Sequence, residues 1–122
     1  MFASERTRCA TCHSGPVYSD SRPERPIKHD VGTGGDDVGE KLGPSYDTPT
    51  LLGLYRTAPY LHHGRAATLL DVLTTSNRDD RHGTTSGLTA SELDDLVEFL
   101  KALPFEDPEP GAAAAGLRKI TR

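Results

Sequence analysis

Cys9-Ala10-Thr11-Cys12-His13 sets two thiols three positions apart, with an imidazole directly after the second, and uses both cysteines of the chain. Thiols at that spacing lie on one helical turn, where they can add to the two vinyl groups on one edge of a porphyrin. The next residue then lies under the iron and can supply an axial nitrogen. The pattern is that of covalent c-type haem attachment. It implies one haem held by Cys9 and Cys12, with His13 as an axial ligand. Other uses of a CxxC pair fit less well. Zinc would need two further ligands, from His29 and the later histidines, because no second CxxC is present. A thioredoxin-type pair would want a βαβ setting, which the Gly- and Pro-rich stretch after the motif does not offer. A disulfide across two residues is sterically poor and closes almost no loop.

The opposite face of the iron needs its own explanation. The one methionine is Met1, at the chain start and close to the attachment site. That placement argues against a His/Met iron. The remaining nitrogen candidates are His29, His62, His63 and His82. His82 is favoured, because it sits in a loop that leads to a capped C-terminal helix, and Gly83 frees the backbone to approach the porphyrin. The competing view is a solvated histidine among Arg78, Asp79, Asp80 and Arg81. His62 and His63, shortly after Tyr60, could line the pocket, hydrogen-bond a haem propionate or ligate. His29 could ligate too, or be oriented by the neighbouring Asp30. Arg56 and Arg65 flank the segment from Tyr60 to Gly64, and the planar guanidinium suits a propionate carboxylate. An ordinary exposed arginine is the alternative at both. A five-coordinate iron remains the other option for the distal side.

The elements that must position these residues are few. One domain is expected for 122 residues, over residues 1–104, with 105–122 as a tail or linker rich in Pro and Ala. Apolar residues make up only 34%, with three Phe, four Tyr and no Trp, while twelve glycines and nine prolines point to long loops. A flat apolar cofactor would relieve that shortage by giving the loops something to pack on. A short helix is expected over residues 2–12. From 14 to 49 the chain reads as one long loop wrapping a haem edge, tight at Gly32-Thr33-Gly34-Gly35. A short helix or turn is expected over 50–55, and a helix over 68–74 burying Leu69, Leu70, Val72 and Leu73, with Thr68 and Asp71 as its cap. Thr89-Ala90-Ser91-Glu92 is a capping box, and Leu93, Leu96, Val97, Leu100 and Leu103 follow at helical spacing until Pro104. That stripe should pack on the first helix and the haem edge.

The net charge of −4 is spread along the chain without a basic stripe, which with few aromatics argues against nucleic acid. No apolar run reaches membrane-spanning length. No signal peptide is visible, although haem c attachment normally occurs outside the cytoplasm. A mature or excised domain, its targeting segment lying elsewhere, is therefore expected.

Three further stretches carry a family resemblance. Thr48-Pro49-Thr50-Leu51, then Thr57-Ala58-Pro59-Tyr60-Leu61-His62-His63-Gly64, then Ala66-Ala67-Thr68-Leu69 resemble the TPTLRN, TAPYFHDG and AATLEEAV segments of bacterial dihaem cytochrome c peroxidases and MauG-like proteins. His29-Asp30-Val31-Gly32 is similar to their HN(I/L)G loop. The likeness is to the C-terminal haem domain and covers roughly residues 9–103. It implies an all-α cytochrome c fold with long haem-wrapping loops, a periplasmic location, and a domain that handles electrons. In the peroxidases this half passes electrons to a separate peroxidatic haem. The Met that ligates there, or the Tyr of MauG-like proteins, corresponds to Ser76 counted from His62, and serine does not ligate iron. The stretch from Asn77 to Gly83 then offers His82 as the replacement, giving a bis-histidine haem.

The expected function is electron transfer through one covalent haem c, with a redox partner protein or a fused redox domain. The alternatives are a peroxidase-like haem, with His62 or His63 as its acid–base group, and a gas or ligand sensor. Both need an open distal site.

Overall fold

The computed structural model describes residues 1–36 and 43–104. Among these residues the α-helices are α1 (Cys9–Cys12), α2 (Leu69–Leu73) and α3 (Ala90–Lys101). Single 3-10 turns occupy Gly34–Asp36 and Leu54–Arg56, and two short strands, β1 (Lys28–His29) and β2 (Tyr46–Asp47), pair antiparallel with His29 opposite Tyr46. The long loop expected to be irregular closes on itself through this strand pair, which satisfies backbone groups that a bare loop would leave to water. The tail, 105–122, lies outside the described residues, as does part of the loop, 37–42.

α3 is the frame. Thr89 Oγ1 accepts the Glu92 N–H at 3.2 Å, and Glu92 Oε2 accepts the Thr89 N–H at 2.8 Å. The reciprocal box satisfies two of the donors that every helix start leaves over. Leu96 and Leu100 are buried, as is Leu103 just past the helix, while Leu93 and Val97 are half-buried. α3 packs on α2 and on the 3-10 turn Leu54–Arg56. α2 carries the same kind of box, with Thr68 and Asp71 as its members. Its inward face is Leu69 and Leu73; Leu70 is 41% exposed, against expectation. A helix of five residues has only one buried side, and positions 69 and 73 share it.

The first helix is shorter than expected. Residues 2–7 form turns, and helix begins only at Cys9. Two features stop it from starting earlier. Arg8 is left-handed, with φ 59°, and the Thr7 hydroxyl donates to the Met1 carbonyl at 2.8 Å. A side chain that occupies a backbone acceptor competes with helix. Phe2 nonetheless reaches the core, in contact with the rings of Phe99 at 5.1 Å and Tyr18 at 5.8 Å. Across the long loop, Gly34 lies against the Pro44 backbone, where a Cβ would fall 2.6 Å from Pro44 Cα. Only glycine permits that approach.

Candidate functional site

The core leucines do not fill the interior. Leu51, Leu69, Leu73, Leu96 and Leu100 also form the apolar wall of a cavity of about 640 Å³, a size ordinary for cofactor sites. Cys9, Cys12 and His13 line it from α1, and His82 and Gly83 from the opposite loop. Both cysteines are free thiols, and burial pushes both up from the usual thiol range.

His13 is fixed from behind. Its Nδ1 lies 3.0 Å from the Tyr18 carbonyl, which can only accept, so Nδ1 carries the proton and Nε2 keeps its lone pair. The chain returns beneath the motif to place that carbonyl: Asp20 N–H bonds the Cys12 carbonyl at 2.8 Å, and Ser19 N–H the Ser14 carbonyl at 2.9 Å. Two hydroxyls tie this return to the TPTL segment, Ser19 Oγ donating to the Thr48 carbonyl and Thr50 Oγ1 to the Val17 carbonyl, each at 2.6 Å.

His82 faces His13. Their ring centres are 6.2 Å apart, with an angle of 40° between planes. Two imidazoles on one metal, with metal–nitrogen bonds of about 2.0 Å, place their ring centres ~6 Å apart. The observed spacing therefore fits one iron between them. Burial, and then the neighbouring His13, push the His82 imidazole down to about 4. Burial likewise lowers His13. Both rings are neutral at pH 7, the form that ligates metal. Gly83 has φ +75°, and a Cβ there would lie 2.9 Å from the Thr7 carbonyl oxygen and 3.5 Å from Cys9 Sγ. The distal loop thus rests directly on the segment entering the attachment motif, and Thr84 N–H bonds that same Thr7 carbonyl at 3.0 Å.

The other expected residues divide. Tyr60 lines the cavity and donates its hydroxyl to the Leu54 carbonyl at 3.1 Å. His62 lines it as well, stacked on Tyr46 at 3.8 Å with its Nδ1 3.4 Å from Thr33 Oγ1. His63 does not line it; its Nδ1 accepts the Arg65 N–H at 3.2 Å. His29 is on the wall, but its partner is Asp20, at 2.7 Å, rather than Asp30. Asp30 instead pairs with Arg81 at 2.5 Å.

Arg56 and Arg65 are exposed and do not line the cavity. The arginines that do are Arg8 and Arg81. Within the turn Leu54–Arg56, Leu54 packs against the core, which leaves Arg56 on the outside. Sequence reasoning therefore missed Arg8, Arg81, Asp20 and the Tyr18 carbonyl. Only the two arginines left a signal, each standing next to a candidate attachment or ligand residue, Cys9 or His82.

Comparison with known proteins bears on the fold that carries this cavity. A family model described as RoxA-like, cytochrome c-like, matches residues 45–82. A solved hydrazine synthase structure from Kuenenia stuttgartiensis superposes with a TM-score of 0.69 at 33% identity, over 84% of this chain and 43% of that one. The chain carries a cytochrome c-like domain. A MauG-like protein associated with microbial copper homeostasis superposes on the domain with a TM-score of 0.62 at 26% identity, over 86% of it and 45% of that chain. In sequence, the domain is 49% identical over 67 residues to hydrazine synthase subunit gamma of K. stuttgartiensis, covering 54% of this chain and 19% of the subunit. It is 30% identical over 151 residues to the cytochrome-c peroxidase IdrP1 of Denitromonas iodatirespirans, covering 86% and 39%. The domain thus spans less than half the length of these relatives. The cytochrome c-like fold implies haem c. Among the described residues, no helix is long and apolar enough to cross a membrane.

Proposed function

We propose that the domain, residues 1–104, carries electrons through one haem c bound covalently to Cys9 and Cys12 and ligated by His13 and His82. The observation that carries the reading is the pair of facing, neutral imidazoles 6.2 Å apart across a cavity that also holds both thiols. When bound, haem c supplies a one-electron couple between ferric and ferrous iron. The chain does the rest. Tyr18 fixes the His13 tautomer, and the docking of Gly83 on Thr7 fixes the distance between the two ligand-bearing segments. Ligands that do not move between oxidation states keep the reorganisation small. Two imidazoles also set the potential below that of a His/Met carrier, since Met is the ligand that raises it. The partner is a redox protein or a redox domain of the same longer protein, outside the cytoplasm where haem c is attached.

A peroxidase-like centre would need an open sixth position, and His82 stands where that opening would be. Voltammetry of the haem-loaded protein tests the choice. Electron transfer predicts a reversible one-electron wave below the His/Met range, unchanged by hydrogen peroxide. A catalytic reduction current on adding peroxide would overturn the reading in favour of the enzyme.

A further inference from the structure

We propose that Asn77 is the latch that holds His82 in place and keeps the distal side of the iron closed to outside ligands. The inference rests on the His13/His82 ligation proposed above and names the residue that makes it durable. Asn77 is uncharged and 4% exposed, just beyond α2. A carboxamide offers two N–H donors and one acceptor oxygen, and a buried one must use them. Here they go to the main chain of the ligand. Oδ1 accepts the His82 N–H at 2.8 Å. Nδ2 donates towards the His82 carbonyl at 3.2 Å, the Gly83 carbonyl at 2.9 Å and Thr85 Oγ1 at 2.9 Å. One side chain thus holds both backbone groups of His82 without touching its ring.

The latch is itself anchored. The Asn77 N–H bonds the Thr74 carbonyl at 3.0 Å, and the Thr85 hydroxyl donates to the carbonyl of Leu73, the last residue of α2, at 2.6 Å. Asp80 closes the outer side. Its Oδ1 accepts the N–H groups of Thr85 and Ser86 at 2.8 and 3.0 Å, and its Oδ2 the Ser86 hydroxyl at 2.5 Å. A loop histidine leaves its metal by moving its own backbone. That motion here requires breaking a buried, fully engaged amide network, whose groups would find no water in exchange. Asn77 is a positioning residue: it acts on the iron only through His82.

The test is carbon monoxide binding to the reduced, haem-loaded protein, followed by rapid mixing, beside its ferric optical spectrum and melting temperature. Carbon monoxide enters only after His82 departs, so the rate reads the latch. Asn77→Ala is expected to bind it at least about tenfold faster than wild type, as loss of partners behind a metal ligand typically costs. Its ferric spectrum should also gain a high-spin component. Leu93→Ala is the control: Leu93 packs against the core but does not line the cavity, so the change lowers the melting temperature while the rate stays near that of wild type. Should Asn77→Ala fail to fold, Asn77→Ser carries the same measurement, since serine can retain one of the bonds. A folded Asn77 variant with the wild-type rate and spectrum overturns the latch, as does a control that accelerates binding equally. If wild type already binds as fast as His82→Ala, His82 is not a ligand, and both the latch and the ligation reading fall.

Discussion

The two sides of the haem cavity hold their histidines by different means. On the attachment side, His13 follows its cysteines directly, and one carbonyl, from a turn five residues on, sets its ring. On the distal side, His82 lies in a loop with no regular structure, where buried side chains do the holding. A ligand written into a local motif needs little support, because in the proposed holoprotein two thioethers would fix its neighbours. A ligand supplied by a loop depends on the network around it. The attachment side should therefore fail all at once, and the distal side by degrees.

Substitutions can break or sharpen that contrast. Replacing Cys9 and Cys12 together by Ala should abolish covalent haem altogether, so that acidified solvent extracts all of it. Retention of haem after extraction would sink the attachment assignment. Leu96→Ala strikes the wall common to both sides. Leu96 is 2% exposed, and the change should cost about 2–5 kcal/mol, read by chemical denaturation. Gly83→Ala separates the sides, because its Cβ meets the Thr7 carbonyl and its backbone is left-handed. A cost of about 1–3 kcal/mol is expected, with the distal ligand loosened and covalent haem intact. Thr89→Ala removes one cap from α3 and should cost about 1 kcal/mol without changing the haem spectrum. Arg6→Ala, which cuts an exposed pair with Glu92 and a hydrogen bond to the Gly87 carbonyl, should have the smallest effect, one that added salt weakens.

The same contrast explains what could be read from the sequence. The attachment motif and the α3 box carry their geometry in the spacing of adjacent residues, and both stand where expected. His82 is favoured by elimination, once Met1 is set aside, and by its loop before the capped helix with Gly83 next to it; the structure sets its ring 6.2 Å from that of His13. The residues that escaped depend on chain reversals. Asp20 reaches His29 because the chain folds back beneath α1, whereas adjacency pointed to Asp30. Arg81 meets Asp30 across fifty residues of chain, while Arg56 and Arg65 looked better placed beside the TAPY segment. The helix expected over 2–12 was lost to one left-handed residue, Arg8, and one hydroxyl, Thr7, neither of which disturbs the apolar pattern.

The central claim is that His13 and His82 share one iron. The measurement that meets it most directly is the electron paramagnetic resonance and optical spectrum of the ferric haem-loaded protein, taken beside His82→Ala. The account predicts a low-spin wild type without a methionine–iron charge-transfer band, turning high-spin in the variant. A wild type that is high-spin already, and unchanged by the substitution, would contradict it.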